Sequence, residues 1–252
     1  MKLKLNWIPN ALSLGNLTFG FISILISSGA NLPGKDNDNL FLLSGIFIFL
    51  ASVFDGFDGM VARALDATSE LGAELDTLAD LTTFGIAPGF LMYKMVLEKY
   101  HIFLPGSSNE MPIGMLVATI FPICAAYRLA RFTAAHDPSF FTGLPSPIAG
   151  VFVALFPMSF LHNSILDIIT ISIFVLIAIL MVSTIRYSKP QVAMRGRFSK
   201  EKLMVAGLLL FLMILLTSIF VSHILPYLAY GFLIFYVFSG ILSLLIQFIQ
   251  EF

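Results

Sequence analysis

Long apolar runs, one after another from near the amino terminus to the end of the chain, constrain this sequence more than any other feature. They fall near residues 10–29, 40–63, 74–97, 112–133, 147–163, 166–185, 203–222 and 225–249. Most approach or exceed the roughly 20 helical residues that cross about 30 Å of hydrocarbon. Of the 252 residues, 58% are hydrophobic and only 12% charged, against about 25% charged in ordinary soluble domains. A water-soluble enzyme is excluded, and the expected fold is all-α: one polytopic transmembrane bundle spanning 1–252, with about eight spans. Six or seven spans stay open as alternatives, because the turns at 162–164 and 222–226 are short enough to belong to broken helices. Lys2 and Lys4 precede the first run in the manner of a signal peptide, but that run is long and lacks a small-residue cleavage site, so it is read as a retained helix.

The placement of charge orients the bundle. With eight spans, Lys2, Lys4, Arg63, Arg128, Arg131, Arg186, Lys189, Arg195, Arg197, Lys200 and Lys202 share one side, and Lys35, Lys94 and Lys99 the other, a division of 11 to 3. Basic residues accumulate on the cytoplasmic side. Both termini are therefore expected in the cytoplasm, as are the segments 64–73, 134–146 and 186–202. The single cysteine, Cys124, excludes a disulfide framework and cysteine-held metals, and the four histidines are too scattered for a metal motif. The bilayer, rather than nucleic acid, is the expected environment.

Residues 52–88 depart from this apolar pattern. Asp55, Asp58, Asp76 and Asp80 lie in or at the edge of two successive spans, where a charged residue costs about 2.5 to 3.5 kcal/mol at mid-bilayer and normally faces an interior site. Asp55 and Asp58 stand at i and i+3, and Asp76 and Asp80 at i and i+4, so each pair shares one helix face. In an antiparallel hairpin, residues at equal depth have a constant sum of numbers, which sets Asp55 level with Asp80 and Asp58 level with Asp76. The two layers are then roughly 4 to 6 Å apart along the axis. Carboxylates this close repel unless cations neutralise them. An all-oxygen set selects hard divalent ions, so two Mg²⁺ or Mn²⁺ ions are expected.

Gly59, Ala62 and Gly72 leave room along the same groove, and Arg63 stands where it can meet a phosphate. Intramembrane acids also suit a cation transporter, but transport needs neither this glycine spacing nor Arg63. Its site would approach the midplane from both sides, whereas these acids gather near the expected cytoplasmic helix ends.

The string Asp55-x2-Asp58-Gly59-x2-Ala62-Arg63-x8-Gly72-x3-Asp76-x3-Asp80 resembles, without departure, the signature of the CDP-alcohol phosphotransferases. Within that family the flanking segments are similar to those of members acting on CDP-diacylglycerol and L-serine. These are Ile8-Pro9-Asn10, Leu14 to Leu17, Leu78 to Asp80, Phe84 to Pro88, Arg128 to Phe132 and Phe141 to Pro147. The resemblance covers residues 8–150; beyond them, the helices of about 166–250 rest on hydropathy.

The resemblance implies transfer of a phosphatidyl group to the serine hydroxyl with release of CMP, at the cytoplasmic side of a multi-pass homodimer. Glycerol phosphate or inositol phosphate as acceptor, and an archaeal ether lipid as donor, are the alternatives within the family. By motif position, Asp55, Asp58, Asp76 and Asp80 would hold the metals, with Asp80 also the general base. Gly59, Ala62 and Gly72 would shape the cytidine pocket beside Arg63. Arg128 and Arg131 are candidates for the substrate diphosphate or the serine carboxylate; positive-inside anchoring is their other account.

Overall fold

The computed structural model describes residues 7–30, 37–103, 110–135, 140–159 and 164–188, together with Gly231 and Ile234. Apart from those two residues, the spans expected at 203–222 and 225–249 lie outside them, as do all but the first residues of the basic segment 186–202.

Helix α1, Trp7–Ser28, shows why the chain belongs in lipid. Its buried face reads Pro9, Ser13, Asn16, Gly20, Ser23 and Ser27, while Trp7, Leu14, Phe21 and Leu25 point outward, each about half exposed or more. A soluble helix has the reverse arrangement. In a bilayer the outer face needs apolar side chains, and helices associate through small and hydrogen-bonding residues. Helix α2, Asn37–Ala64, packs along α1. Ser44 sits between Ser23 and Ser27, with Oγ to Oγ distances of 2.7 and 2.6 Å.

A short turn reverses the chain after α2. Asp66 adopts φ 52°, and the Ala67 N–H reaches back to the Ala62 carbonyl at 2.9 Å, the six-to-one bond of a Schellman stop. Ser69 then caps α3, Glu70–Asp80, its Oγ accepting from the Gly72 N–H at 3.0 Å. Asp80 and Ala87 keep right-handed helical backbone at the junctions. The helix thus runs on through a π-helical stretch, Leu81–Ile86, into α4, Ala87–Met95. Pro88 lacks the N–H that a regular helix would direct at residue 84, and the wider turn before it accommodates that loss.

Helix α5, Gly114–Ala135, contains Pro122. It is followed by α6, Ser146–Ala154, a single turn α7, Phe156–Ser159, and α8, Ser164–Val182. The core between α4, α5, α6 and α8 is apolar, with Phe121 and Phe174 stacked at 4.9 Å between ring centroids. Two glycines set close approaches around the π-helix. A Cβ on Gly20 would collide with Thr83, and one on Gly150 would lie 2.9 Å from the Phe84 Cα.

The described residues are thus largely helical, as expected of an all-α membrane bundle. Among the described residues, three helices are each long and apolar enough to cross a membrane on their own: Trp7–Ser28, Asn37–Ala64 and Gly114–Ala134. Two small antiparallel ribbons, which the helical reading did not include, join the helices. Ile102–Phe103 pairs with Glu110–Met111, and Phe140–Thr142 with Arg186–Ser188.

Candidate functional site

The turn at 65–69 folds α3 back beside α2, and the four aspartates meet. Asp55 lies within hydrogen-bonding reach of Asp80, and Asp58 of Asp76, the two layers that the antiparallel register predicts. Asp55, Asp76 and Asp80 each present a carboxylate oxygen, and these atoms all lie within 4.8 Å of one another. Asp58 and Asp80 are buried, at 6% and 8% exposure.

Helix α1 closes the third side. The Ser13 hydroxyl donates to Asp58 Oδ2 at 2.8 Å, and the Asn16 amide to Asp80 Oδ1 at 3.4 Å. On the fourth side, Arg128 from α5 is 5% exposed, and its charge acts on Asp55 and Asp80. Its Nη1 donates to Ser146 Oγ, 2.6 Å away at the start of α6.

Beside the acids opens a cavity of about 160 Å³. Asn10 and Ser13 of α1, Asp58, Gly59 and Ala62 of α2, and the segment Ala67 to Asp76 supply its walls. A Cβ on Gly59 would meet only the tip of Arg63, 3.9 Å away, and one on Gly72 would sit 3.0 Å from Asn10 Oδ1 and 3.1 Å from Ser69 Oγ. These glycines widen the groove at opposite walls.

The donor set suits hard divalent cations. Every ligand atom on offer is a carboxylate oxygen, and Asp76 Oδ1 is buried with no hydrogen-bond partner among the described residues. Such an oxygen is costly to leave unmatched and is the kind of atom that a cation satisfies.

The candidate residues of the sequence therefore separate into groups. Asp55, Asp58, Asp76 and Asp80 converge; Gly59, Ala62 and Gly72 border the cavity; Arg63 is exposed at the last turn of α2. The two arginines part company. Arg128 faces the acids, whereas Arg131 donates to the carbonyls of Thr142 at 2.7 Å, Val182 at 2.9 Å, Ser183 at 3.1 Å and Met181 at 3.4 Å, tying α5 to the end of α8. Ser13 and Ser146 touch Asp58 and Arg128; Ser146 lies within the segment Phe141 to Pro147 but is not itself a candidate there, and Ser13 belongs to none of the flanking segments. The spacing of Ser13 between Pro9 and Asn16 on one helix face was the available signal.

Helices long and apolar enough to cross a membrane thus surround a cluster of carboxylates that could hold a metal ion. Residues 6–185 match the family described as CDP-alcohol phosphatidyltransferase, and the chain belongs to that family. It is 37% identical over 164 residues to the CDP-diacylglycerol–serine O-phosphatidyltransferase of Bacillus subtilis, covering 64% of this chain and 80% of that protein. Proteins of the same description from Helicobacter pylori and Methanocaldococcus jannaschii are 34% and 32% identical over 187 and 189 residues. Those matches cover 71% and 74% of this chain, and 70% and 76% of the relatives.

Proposed function

We propose that this enzyme transfers a phosphatidyl group from CDP-diacylglycerol to the hydroxyl of L-serine, forming phosphatidylserine and releasing CMP. The observation that carries the reading is the meeting of Asp55 with Asp80 and of Asp58 with Asp76, the second pair on the wall of a glycine-bordered cavity, in a chain whose relatives bear that activity in their names.

In this reading Asp55, Asp58, Asp76 and Asp80 hold two divalent cations, Mg²⁺ or Mn²⁺. Bound cations of this kind compensate the charge of the diphosphate and of the departing CMP. Gly59, Ala62 and Gly72 admit the cytidine, and Arg63 stands at the phosphate end. Asp80 takes the proton from the serine hydroxyl as its oxygen bonds to phosphorus and the bond between that phosphorus and the CMP oxygen breaks. Arg128, fixed by Ser146, offers buried positive charge to the diphosphate or to the serine carboxylate. Arg131 supports the same end of the bundle from its carbonyl cage.

The reading extends to eight spans with both termini in the cytoplasm, a site open to the cytoplasm, and a homodimer. Purified protein given CDP-diacylglycerol with serine, glycerol phosphate or inositol phosphate tests the acceptor. Phosphatidylserine identified by mass, dependent on serine, is expected. Product formed only with a phosphorylated acceptor would overturn serine transfer while leaving the family chemistry in place.

A further inference from the structure

We propose that α1 positions the acids through one neutral donor for each carboxylate layer, Ser13 for Asp58 and Asp76, and Asn16 for Asp55 and Asp80. The inference rests on the reading that these acids hold divalent cations. Ser13 and Asn16 stand at i and i+3 on the buried face of α1, at 3% and 0% exposure. That is the spacing needed to address two layers one helical turn apart. Ser13 donates to Asp58 Oδ2 at 2.8 Å and Asn16 to Asp80 Oδ1 at 3.4 Å. Asn16 grips the same region twice, since its backbone carbonyl accepts from the Thr83 hydroxyl at 3.1 Å, within the π-helix that follows Asp80.

The chemistry of the donors matters. Residues 7–28 contain no charged side chain. A lysine or arginine in either place would neutralise a carboxylate and compete with a cation for it, whereas a hydroxyl or an amide orients one oxygen and leaves the negative charge in place. Groups that hold metal-binding side chains by hydrogen bonds typically contribute ten- to a hundredfold to metal affinity. The same helix face offers an internal contrast. Among the described residues, Ser23 and Ser27 engage the hydroxyl of Ser44, an interhelical contact that includes none of the four aspartates.

The test is Mn²⁺ binding to the purified full chain, followed by the paramagnetic resonance of the free ion, with no nucleotide or lipid substrate present. Ser13→Thr and Ser13→Val have nearly the same shape and differ in the hydroxyl, so an effect of packing alone falls on both. The Thr variant should keep the wild-type Kd, and the Val variant should raise it about tenfold. Asn16→Leu should raise it as well, and Ser23→Ala should not. In turnover, the Mn²⁺ concentration for half-maximal CMP release should move with the Kd in Ser13→Val, while the rate at saturating metal recovers toward that of Ser13→Thr. Equal Kd values for the Thr and Val variants and for Asn16→Leu, beside normal binding by the wild type, overturn the positioning role alone. A wild-type chain with no Mn²⁺ affinity overturns the metal reading beneath it.

Discussion

Asp80 answers to two demands, holding a cation and accepting a proton, and a single substitution separates them. Asp80→Asn keeps an oxygen for weak coordination but cannot take the serine proton at neutral pH. CDP-diacylglycerol affinity in Mn²⁺ should therefore outlast chemistry, with serine-dependent CMP release falling roughly 10² or more; loss of binding together with turnover would make Asp80 chiefly a ligand. Asp55→Asn and Asp76→Asn remove charge from the same cluster and should each abolish turnover in the same CMP assay. At the cavity wall, Gly72→Val would press on Asn10 Oδ1 and Ser69 Oγ. It should raise the KM for CDP-diacylglycerol about tenfold, on the scale of overpacking a close contact, with kcat less affected. The acids were legible in the sequence because buried charge in lipid is expensive and so rarely idle. Ser13 was not, since serine on a membrane helix is ordinary packing material, as Ser23 and Ser27 show on the same face. The spacing of Arg128 and Arg131 could not say which of them turns toward the acids; only the positions of α6 and α8 decide it.

The hairpin between α2 and α3 is the element on which the site depends, and its turn is held by local chemistry. Asp66 occupies a left-handed conformation that glycine adopts freely and a β-branched residue resists. Asp66→Gly should leave the protein as stable or raise its stability by up to about 1 kcal/mol, and Asp66→Val should lower it by about 1 to 2 kcal/mol, as read by thermal unfolding in detergent. The antiparallel register of these helices followed from the numbering of the acids alone, because a regular helix makes depth a linear function of sequence. The π-helix at Leu81–Ile86 had no such signal. It arises where Pro88 disturbs the helix while Asn16, Gly20 and Gly150 crowd Thr83 and Phe84, which are contacts between distant parts of the chain. The ribbons that pair 102–103 with 110–111 and 140–142 with 186–188 escaped for another reason: strands of two or three residues carry too few positions for an alternating pattern.

For the molecule as a whole, the placement of charge yields a sidedness that can be measured. The acids lie toward the end of the α2–α3 hairpin that carries Arg63 and the turn at 65–69, and the ribbon at 102–111 follows the far end of α4. If the hairpin turn is cytoplasmic, a water-soluble acceptor and the released CMP exchange with the cytoplasm while the acyl chains of the donor stay in the bilayer. Cys124 is the single cysteine, so Cys124→Ser supplies a background for new ones. Glu70 and Glu110 are exposed; Glu70 begins α3, and Glu110 lies in the ribbon that follows α4. In that background, Glu70→Cys should react with a membrane-impermeant maleimide only in inverted vesicles, and Glu110→Cys only in right-side-out ones. Labelling of Glu70→Cys from outside intact vesicles would reverse the topology drawn from the basic residues and turn the site away from the cytoplasm. Labelling of both positions from one face would mean that the path from 70 to 95 does not cross the bilayer. In that case the acids would lie at a membrane surface, where burial in lipid no longer explains why four of them are gathered behind α1.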